Sequence, residues 1–358
     1  MKNNNKIAIV SASLGVGGAE RFAGLLSFML YDLGYEVHHI IILDNVDYEY
    51  KGTLVNLGKL FPNEKGFFRA VKKGKYIAKY LLENDIQTII DNRSRPTLLR
   101  EVFTKWIYGN RKKYFMIHSS NLEMYFPQIG ANYLYKNVTK LICVAKEIEQ
   151  KVSSQFNLKN TTTIYNPIVF PKNSAQKPID ISDNYILFFG RLEEEIKNFT
   201  LLLTAFSISK IYEKGIKLLV VGDGSSKDFI QAKIKALQLE NHVQILPFQR
   251  NITPYIQHAK ATILTSHFEG FPMSLIESLS AETPVISVDC ETGPKEIIQD
   301  KVNGLLVPNH DENALAAAIK NMFEDKNLYQ TCKNNAQKSV EHLSLTNITQ
   351  QWQLLLKS

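Results

Sequence analysis

The chain has 358 residues, a formal net charge of +7 and a composition of 44% hydrophobic and 22% charged residues, which is typical of soluble globular proteins and too long for one ordinary domain. Three widely separated cysteines, Cys143, Cys290 and Cys332, exclude a disulfide framework and indicate a reducing compartment. No run of residues approaches the roughly 18 apolar positions of a membrane span, so we expect none.

Short β-branched runs alternate with helical periods along the first half. The predicted strands are Lys6–Ala12, Glu36–Leu43, Ile86–Asp91, Tyr114–His118, Lys140–Val144 and Thr162–Ile164. After the first of them, residues 18–33 carry apolar positions at helical spacing, and Gly34 stands where a C-terminal cap belongs. The proline-containing stretch that follows has no periodicity, and we place an interdomain linker at residues 169–184.

The alternation then restarts. The predicted strands are Tyr185–Phe189, Ile216–Val221, Val243–Leu246, Ala261–Leu264, Pro284–Val288 and Gly304–Val307, with helices at about Asn198–Glu213, Ser225–Gln238, Ile252–His258, Pro272–Ala281 and Asp311–Phe323. Two such halves predict an α/β protein of two Rossmann-like domains, at residues 1–168 and 185–345. Ligands of parallel sheets bind beyond the carboxyl ends of the strands, so strand-to-helix junctions are the candidate sites.

The first junction is glycine-rich. Gly17 and Gly18 would let a phosphate approach the backbone at the start of a helix. A dinucleotide site is the alternative, but Glu20 stands where that motif needs glycine or alanine, and only Asp44 near the end of the next strand supports it. Alone, this loop is a weak signal.

The most specific junction runs from His267 to Glu277. Gly270 permits close backbone approach, and the N–H groups of residues 271–274 would form an anion or hydroxyl site at a helix start. Glu269 and Glu277 are carboxylates that can accept hydrogen bonds from the hydroxyls of a sugar or a ribose. The alternative is a solvated helix face, which the apolar surroundings disfavour.

A third junction, Gly190 to Asn198, carries two cations. Arg191 and Lys197 can neutralise a diphosphate whose charge grows as it leaves. Surface charges beside an acidic run are the alternative.

Together these motifs resemble those of the retaining, GT-B-fold bacterial glycosyltransferases that carry a Glu-x7-Glu motif, also called glycosyl transferases group 1. The resemblance runs in order along nearly the whole chain, and the block of Glu269 and Glu277, with Gly293, Pro294 and Glu296 after it, is its most specific part. It implies two domains facing across a cleft, a final helix at residues 346–358 that packs on the first domain, and retention of anomeric configuration.

Site roles follow from the resemblance. The residues that it places in catalysis are His118, Arg191, Lys197 and Glu269, and those that it places at the donor are Gly17, Gly18, Gly190, Pro247, Phe248, Ser266, Gly270, Phe271, Pro272, Met273, Ser274 and Glu277. Two departures stand out: Arg191 and Lys197 are one residue further apart than usual, and position 247 is proline where glycine is common. The chain has no Asp-x-Asp motif, so we expect neither a metal nor another cofactor.

The resemblance also implies that the first domain binds the acceptor and the second binds the nucleotide-sugar donor, and the N-terminal half is the basic one. Residues 1–180 carry a net charge of +10 and residues 181–358 carry −3. An amphipathic helix is predicted at Lys65–Leu82, with Arg69, Lys72, Lys73, Lys75 and Lys79 as its basic face, and a second basic cluster is formed by Arg93, Arg95, Arg100, Lys105, Arg111, Lys112 and Lys113. Such clusters favour an anionic membrane surface, although a solvated domain helix is the alternative. No nucleic-acid motif is present.

The leading hypothesis is therefore a cytoplasmic transferase, peripheral on the inner face of the membrane. It would move a hexose or N-acetylhexosamine from a nucleotide-sugar, with uridine favoured, to a glycan or lipid-linked acceptor of lipopolysaccharide or capsule. A nucleotide-sugar epimerase on the same scaffold and a non-catalytic nucleotide-sugar-binding protein are the alternatives.

Overall fold

The computed structural model describes residues 5–15, 17–62, 66–127, 129–172, 181 and 184–357, without the side chain of Phe67. Most of the predicted linker, at 173–180, 182 and 183, lies outside the described residues, as does Lys65 of the predicted basic helix. The chain divides into two compact units, Met1–Pro167 with Leu345–Ser358 and Ile168–Ser344.

Thirteen strands are present in the described residues. They are β1 Lys6–Ser11, β2 Glu36–Ile41, β3 Thr53–Asn56, β4 Thr88–Asp91, β5 Lys112–Ile117, β6 Lys140–Cys143, β7 Thr161–Thr163, β8 Tyr185–Phe189, β9 Lys217–Val221, β10 Val243–Leu246, β11 Ala261–Leu264, β12 Val285–Asp289 and β13 Gly304–Pro308. All the pairings between them are parallel. The predicted α/β class and the two parallel sheets are confirmed.

Helices connect the strands. They are α1 Gly18–Asp32, α2 Leu57–Leu60, α3 Gly66–Glu83, α4 Leu98–Tyr108, α5 Ala131–Tyr135, α6 Lys146–Phe156, α7 Glu194–Lys197, α8 Phe199–Ser209, α9 Lys227–Ala236, α10 Thr253–His258, α11 Met273–Ser280, α12 Pro294–Ile297, α13 Glu312–Glu324, α14 Lys326–Ser339 and α15 Leu345–Lys357. Within the described residues, no helix is both long enough and apolar enough to cross a bilayer.

Two features differ from the prediction. The short strand β3 was not predicted; it adds to the edge of the first sheet beside β2, where four residues give little periodicity. The predicted helix from Asn198 to Glu213 is broken, because Lys210 adopts a left-handed conformation (φ 49°) that ends α8, and a 3₁₀ turn follows at Ile211–Lys214.

The first unit is built on a seven-stranded sheet in the order β3-β2-β1-β4-β5-β6-β7. Its inner strand β1 is buried from Ile7 onward because helices cover both faces of the sheet. Helix α15 belongs to this unit, and its Trp352 is fully buried with its ring centroid 6.4 Å from that of Phe22 on α1. The unit is thus assembled from two distant parts of the chain.

The second unit is built on a six-stranded sheet in the order β10-β9-β8-β11-β12-β13. One face is covered by a large apolar cluster that includes Phe199 and Phe206 of α8 and Ile319 of α13. A smaller cluster, which includes Tyr185 and Ile256, covers the other face. Both faces are therefore buried, which leaves the strand ends as the exposed part of the sheet.

Candidate functional site

The order of strands reverses at β8 in the second sheet. Strands β9 and β10 lie on one side of β8, whereas β11, β12 and β13 lie on the other. A crevice forms beyond the carboxyl ends at such a reversal, because the loops that follow the two central strands run to opposite faces. Gly190 and Arg191 follow β8, and Thr265 and Ser266 follow β11, so three predicted positions, Gly190, Arg191 and Ser266, flank this point.

Lys197 and Glu269 are joined there by an ion pair. Nζ of Lys197 lies 2.6 Å from Oε1 of Glu269, and the same oxygen accepts a hydrogen bond of 2.7 Å from the hydroxyl of Ser266. The hydroxyl of Thr265 donates to the carbonyl oxygen of Lys197 at 2.8 Å. Both charged side chains are mostly buried, with 17% and 14% of their surface exposed. The pair is therefore held in place by the two residues that follow β11.

Arg191 is in a different environment. Its side chain is 59% exposed, and its guanidinium lies 3.6 Å from the carboxylate of Glu193. An exposed pair at that distance is weak, so the cation stays available to a ligand. The extra residue between Arg191 and Lys197 is taken up by the single turn α7, in which the N–H of Lys197 donates to the carbonyl oxygen of Glu193.

The acidic run before Lys197 has a structural role. The carboxylate of Glu194 accepts hydrogen bonds from the N–H groups of Phe199 and Thr200, and the side chain of Asn198 accepts from that of Leu201. The N-terminus of α8 is thus capped within the protein. It offers no free anion site.

The loop after β9 packs directly on the loop after β8. A Cβ atom on Gly222 would lie 1.9 Å from the carbonyl oxygen of Gly190, and one on Gly224 would lie 2.3 Å from that of Leu192. The N–H of Leu192 donates to the carbonyl oxygen of Asp223 at 2.9 Å. Sequence reasoning missed Gly222 and Gly224, although two glycines directly after a strand were a usable signal.

Asp223 also orders the loop after β10. Its carboxylate accepts a hydrogen bond of 3.0 Å from the backbone N–H of Phe248. The ring of Phe248 is exposed, so the Pro247–Phe248 turn presents an aromatic face at the carboxyl edge. Asp223 was not predicted, and nothing in its own sequence context distinguishes it.

Helix α11 begins at Met273, and its N-cap residue Pro272 makes no side-chain hydrogen bond to the helix N-terminus. The loop in front of it is fixed by Thr292, whose hydroxyl donates to the carbonyl oxygen of Glu269 at 2.5 Å. A Cβ atom on Gly293 would lie 2.5 Å from the ring of Pro272. Gly270, Phe271 and Ser274 belong to the same loop and helix start, which carries the N–H groups predicted to meet an anion.

Glu277 lies in the second turn of α11 and is partly buried. Cys290, at the end of β12, is buried close to the ion pair. Burial, with Glu269 nearby, raises the pKa of the Cys290 thiol well above its usual range. That thiol is therefore protonated at physiological pH.

The first unit holds His118, Gly17 and Gly18, and one unpredicted residue, Asn92, joins His118 to helix α1. Nε2 of His118, after β5, lies 2.5 Å from Oδ1 of Asn92, after β4, and Nδ2 of Asn92 donates to the carbonyl oxygen of Ala19 in α1 at 2.7 Å. Burial, together with the positive charge of Arg95, lowers the pKa of His118 to about 4. The imidazole is therefore neutral at physiological pH. Asparagine directly after a predicted strand was the signal that could have found Asn92.

The glycine loop has an acidic neighbour. A Cβ atom on Gly17 would lie 2.2 Å from Oε2 of Glu20, whereas one on Gly18 would meet nothing within 4 Å. The carboxylate of Glu20, in the first turn of α1, thus lies close to Gly17, whereas the space beside Gly18 is open.

The basic clusters predicted in this unit are partly wrong. Arg93 and Arg95 are ion-paired with Asp91 at 2.7 and 3.4 Å, and Arg95 also lies 2.7 Å from Glu101. Nζ of Lys73, which the helical pattern placed on the basic face, is buried and donates to the carbonyl oxygen of Ile42 at 2.5 Å. These three cations bind buried polar partners in the interior of the unit and are not part of a basic surface.

Burial alone would raise the pKa of Asp91, but the guanidinium groups of Arg93 and Arg95 lower it to about 2. Asp91 is therefore ionised across the physiological range. Among the described residues, no group of three or more His, Cys, Asp or Glu side chains is arranged to hold a metal ion.

The sequence profile called Glycosyl transferases group 1 matches residues 169–339. A Campylobacter jejuni protein is 30% identical over 349 residues, which cover 92% of this chain and 93% of that one. Its name is N-acetylgalactosamine-N,N'-diacetylbacillosaminyl-diphospho-undecaprenol 4-alpha-N-acetylgalactosaminyltransferase.

Two solved structures share the fold over the whole chain. A mutant of TarM of S. aureus, in complex with fondaparinux, alpha-GlcNAc-glycerol and UDP, has a TM-score of 0.79 at 16% identity and covers 99% of this chain and 100% of its own. The HepE protein of Anabaena in complex with UDP-glucose has a TM-score of 0.75 at 19% identity and covers 98% and 99%.

Proposed function

The chain belongs to the group 1 glycosyltransferases, and from that premise we propose that it transfers a hexose or N-acetylhexosamine from a nucleotide-sugar to a glycan or lipid-linked acceptor, with retention of configuration, in the synthesis of a cell-surface polysaccharide. The observation that carries the proposal is the contact of Lys197, Ser266 and Glu269 at the reversal of strand order in the second unit. A cation and a carboxylate stand side by side there, beyond the carboxyl ends of the strands, which supports our proposal that the sugar diphosphate binds at this point.

In the proposed complex the cations contact the diphosphate of the donor, and the carboxylates contact its sugar and its ribose. Lys197 carries three N–H donors, so it can keep its bond to Glu269 and still donate to a phosphate oxygen. Exposed Arg191 and the uncapped N-terminus of α11, at Met273 and Ser274, face the same diphosphate. Glu269 accepts from the hydroxyls of the sugar, and Glu277 accepts from those of the ribose.

The proposed reaction requires no protein nucleophile. The oxygen of the acceptor hydroxyl bonds to the anomeric carbon while the bond from that carbon to the β-phosphate oxygen breaks. The proton of the hydroxyl passes to the leaving phosphate oxygen on the same face of the sugar, which retains the configuration. Arg191 and Lys197 stabilise the negative charge that develops on the diphosphate, so we propose that no metal takes part.

Uridine is the proposed base, stacked near the Pro247–Phe248 turn that Asp223 orders. UDP and UDP-glucose are bound in the TarM and HepE structures. The acceptor named for the C. jejuni relative is carried on diphospho-undecaprenol. A lipid-linked acceptor of that kind is why we propose a cytoplasmic enzyme that acts at the inner face of the membrane.

The test is a thermal-shift screen against UDP-, GDP-, ADP- and TDP-sugars without metal, followed by turnover of the sugar that binds. Ligand at about 100 times its Kd should stabilise the fold by about 2.7 kcal/mol. A shift with one base, and a product whose anomeric proton coupling shows retention, would support the proposal. No shift with any donor would overturn it, and conversion of the donor without an acceptor would show an epimerase instead.

A further inference from the structure

Helix α4 of the first unit exposes an apolar face to solvent, whereas most helices that cover a sheet bury theirs. Its buried residues recur at spacings of three and four and are Glu101, Thr104, Ile107 and Tyr108. Its exposed large apolar residues recur in the same way on the opposite face and are Leu98, Leu99, Val102 and Trp106. Leu99 is 71% exposed and Trp106 is 59% exposed.

Buried polar bonds fix this orientation. Oε1 of Glu101 lies 2.7 Å from Nε of Arg95, and the hydroxyl of Tyr108 donates to Asp91 at 2.8 Å. Turning α4 to bury its leucines would expose or break these contacts, which lie in a low-dielectric interior. The apolar face is therefore held outward by the structure beneath it, and an apolar surface so held marks an interaction site.

The surface beside this face is aromatic and cationic. Nζ of Lys105 lies 5.6 Å from the ring centroid of Tyr133, and Nζ of Lys136 lies 5.1 Å from it, with Tyr133 67% exposed. Trp106 stacks on Phe103, which packs against Gly74 of α3. We call Leu99, Val102, Trp106, Lys105 and Tyr133 the α4 patch.

The charged residues around the α4 patch indicate which kind of partner binds it. Arg100, Lys105 and Lys136 are exposed, and the only acidic residue between positions 97 and 113, Glu101, is buried. Two copies of this chain that met through the α4 patch would bring cations against cations, which opposes self-association. Tryptophan, tyrosine and lysine beside leucine and valine are instead suited to the boundary between lipid headgroups and acyl chains.

We propose that the α4 patch inserts into an anionic lipid surface, with Leu99, Val102 and Trp106 among the acyl chains and Arg100 and Lys105 at the headgroups. The inference rests on the proposed function for the lipid-linked acceptor, which it would present to the enzyme. It differs from the prediction based on charge alone, because part of the predicted basic clusters is buried and the apolar face of α4 supplies the contact.

Vesicle flotation tests the proposal with the full chain. Wild type should bind vesicles made of equal parts of phosphatidylglycerol and phosphatidylcholine, and should bind far less to phosphatidylcholine alone or at high salt. The L99S/V102S/W106S variant should lose at least about tenfold in partition, and R100Q/K105Q about fivefold for each charge. The matched control I208S/F229S/L354S removes exposed apolar side chains elsewhere and should bind as wild type does.

Tryptophan fluorescence gives a second readout. The chain has two tryptophans, and Trp352 is fully buried whereas Trp106 is exposed. Acyl-chain-brominated lipids should therefore quench emission in wild type but not in a W106F variant. Equal vesicle binding by L99S/V102S/W106S and wild type, or no quenching of Trp106, would overturn the proposal. So would a concentration-dependent dimer that the triple variant abolishes.

Donor binding separates this inference from the proposed function. The triple variant should keep the thermal shift with a nucleotide-sugar and its transfer to a short-chain, water-soluble acceptor, because α4 carries no donor residue. Donor binding without vesicle binding in wild type would remove the inference alone. Vesicle binding without any donor shift would remove the proposed function and leave the lipid contact standing.

Discussion

The side-chain oxygen of Asn92 lies 2.5 Å from Nε2 of His118. Because the amide nitrogen of Asn92 donates to the carbonyl of Ala19, its oxygen must be the atom that faces the histidine, and an amide oxygen only accepts. The neutral imidazole therefore carries its proton on Nε2 and leaves Nδ1 as an acceptor. In that state His118 can accept a hydrogen bond from a sugar hydroxyl through Nδ1.

Replacing Asn92 by aspartate should raise the pKa of His118 above its value of about 4. A carboxylate at hydrogen-bond distance favours the imidazolium by about 1 to 3 pKa units. Histidine NMR across a pH titration measures the shift, and the N92A variant is the control that removes the partner without adding a charge. An unchanged pKa in N92D would contradict the pairing of Asn92 with His118.

Removing the cation of Lys197 should lower turnover strongly. We expect K197M to lose about 10² to 10³ in kcat, since a positioned donor to the leaving diphosphate is lost. The matched control is K214M, because Lys214 pairs with Glu324 at 2.7 Å in the same unit but precedes β9 at the opposite edge of the sheet. Steady-state kinetics should show K214M close to wild type. Equal losses in both variants would count against a donor role for Lys197.

A methyl group on Gly222 should disturb the loop that carries Arg191. The G222A variant would place Cβ 1.9 Å from the carbonyl oxygen of Gly190, so that loop must move. We expect the thermal shift with donor to fall while the unliganded protein still melts cooperatively. G215A is the control: Gly215 also has a positive φ of 78°, but its Cβ would meet nothing within 4 Å. Unaltered donor binding in G222A would show that the loop position does not matter.

Buried His39 should make folding sensitive to mild acid. Burial lowers its pKa to about 4 from 6.5, and neither ring nitrogen has a hydrogen-bond partner in the described residues. As the pH falls, His39 binds its proton in the unfolded chain before it does so in the folded protein. The stability that comes from keeping His39 buried and neutral is therefore fully present above pH 6.5. It is lost as the pH falls toward 4, at about 1.4 kcal/mol per pH unit.

Urea unfolding at several pH values measures that slope. The H39L variant should flatten it and unfold no more easily near neutral pH, because an apolar side chain replaces one with unsatisfied nitrogens. A slope that H39L leaves unchanged would show that other groups cause the acid sensitivity.

The buried pairs of Arg95 should matter more than any pair on the surface. We expect R95M to destabilise the fold by about 3 to 5 kcal/mol, since it leaves Glu101 buried without its cation and leaves Asp91 with Arg93 alone. K79M breaks only the exposed pair of Lys79 with Glu83 and should change stability by less than about 1 kcal/mol. Denaturant midpoints compare the two, and similar values would refute the network.

Strand ends were predictable because parallel sheets collect their loops at one edge. That reasoning placed Gly190 and Glu269 at junctions, and the family resemblance added Ser266. It could not pair Lys197 with Glu269, which are 72 residues apart, because a contact at that separation depends on strand order. The contact follows from the strand order of the second sheet, which reverses at β8.

Charge patterns were a poorer guide than apolar patterns. Arg95 and Lys73 looked like surface cations because lysine and arginine are rarely buried. Their partners, Glu101 and the carbonyl of Ile42, become neighbours only in the folded chain. The exposure of the leucines of α4 could not be predicted for the same reason, because the polar groups that fix the orientation of the helix lie on other elements.

Because α15 belongs to the first unit, the second unit can be completed on the ribosome before the first. The second unit is contiguous from Ile168 to Ser344, so it is complete once Ser344 has been synthesised, whereas the first unit is complete only when Trp352 can pack near Phe22. At translation speeds of about 5 to 20 residues per second, the gap between the emergence of Pro167 and that of Leu345 is on the order of ten seconds or more. During that time the nascent first unit lacks α15, so Phe22 of α1 is without its contact to Trp352.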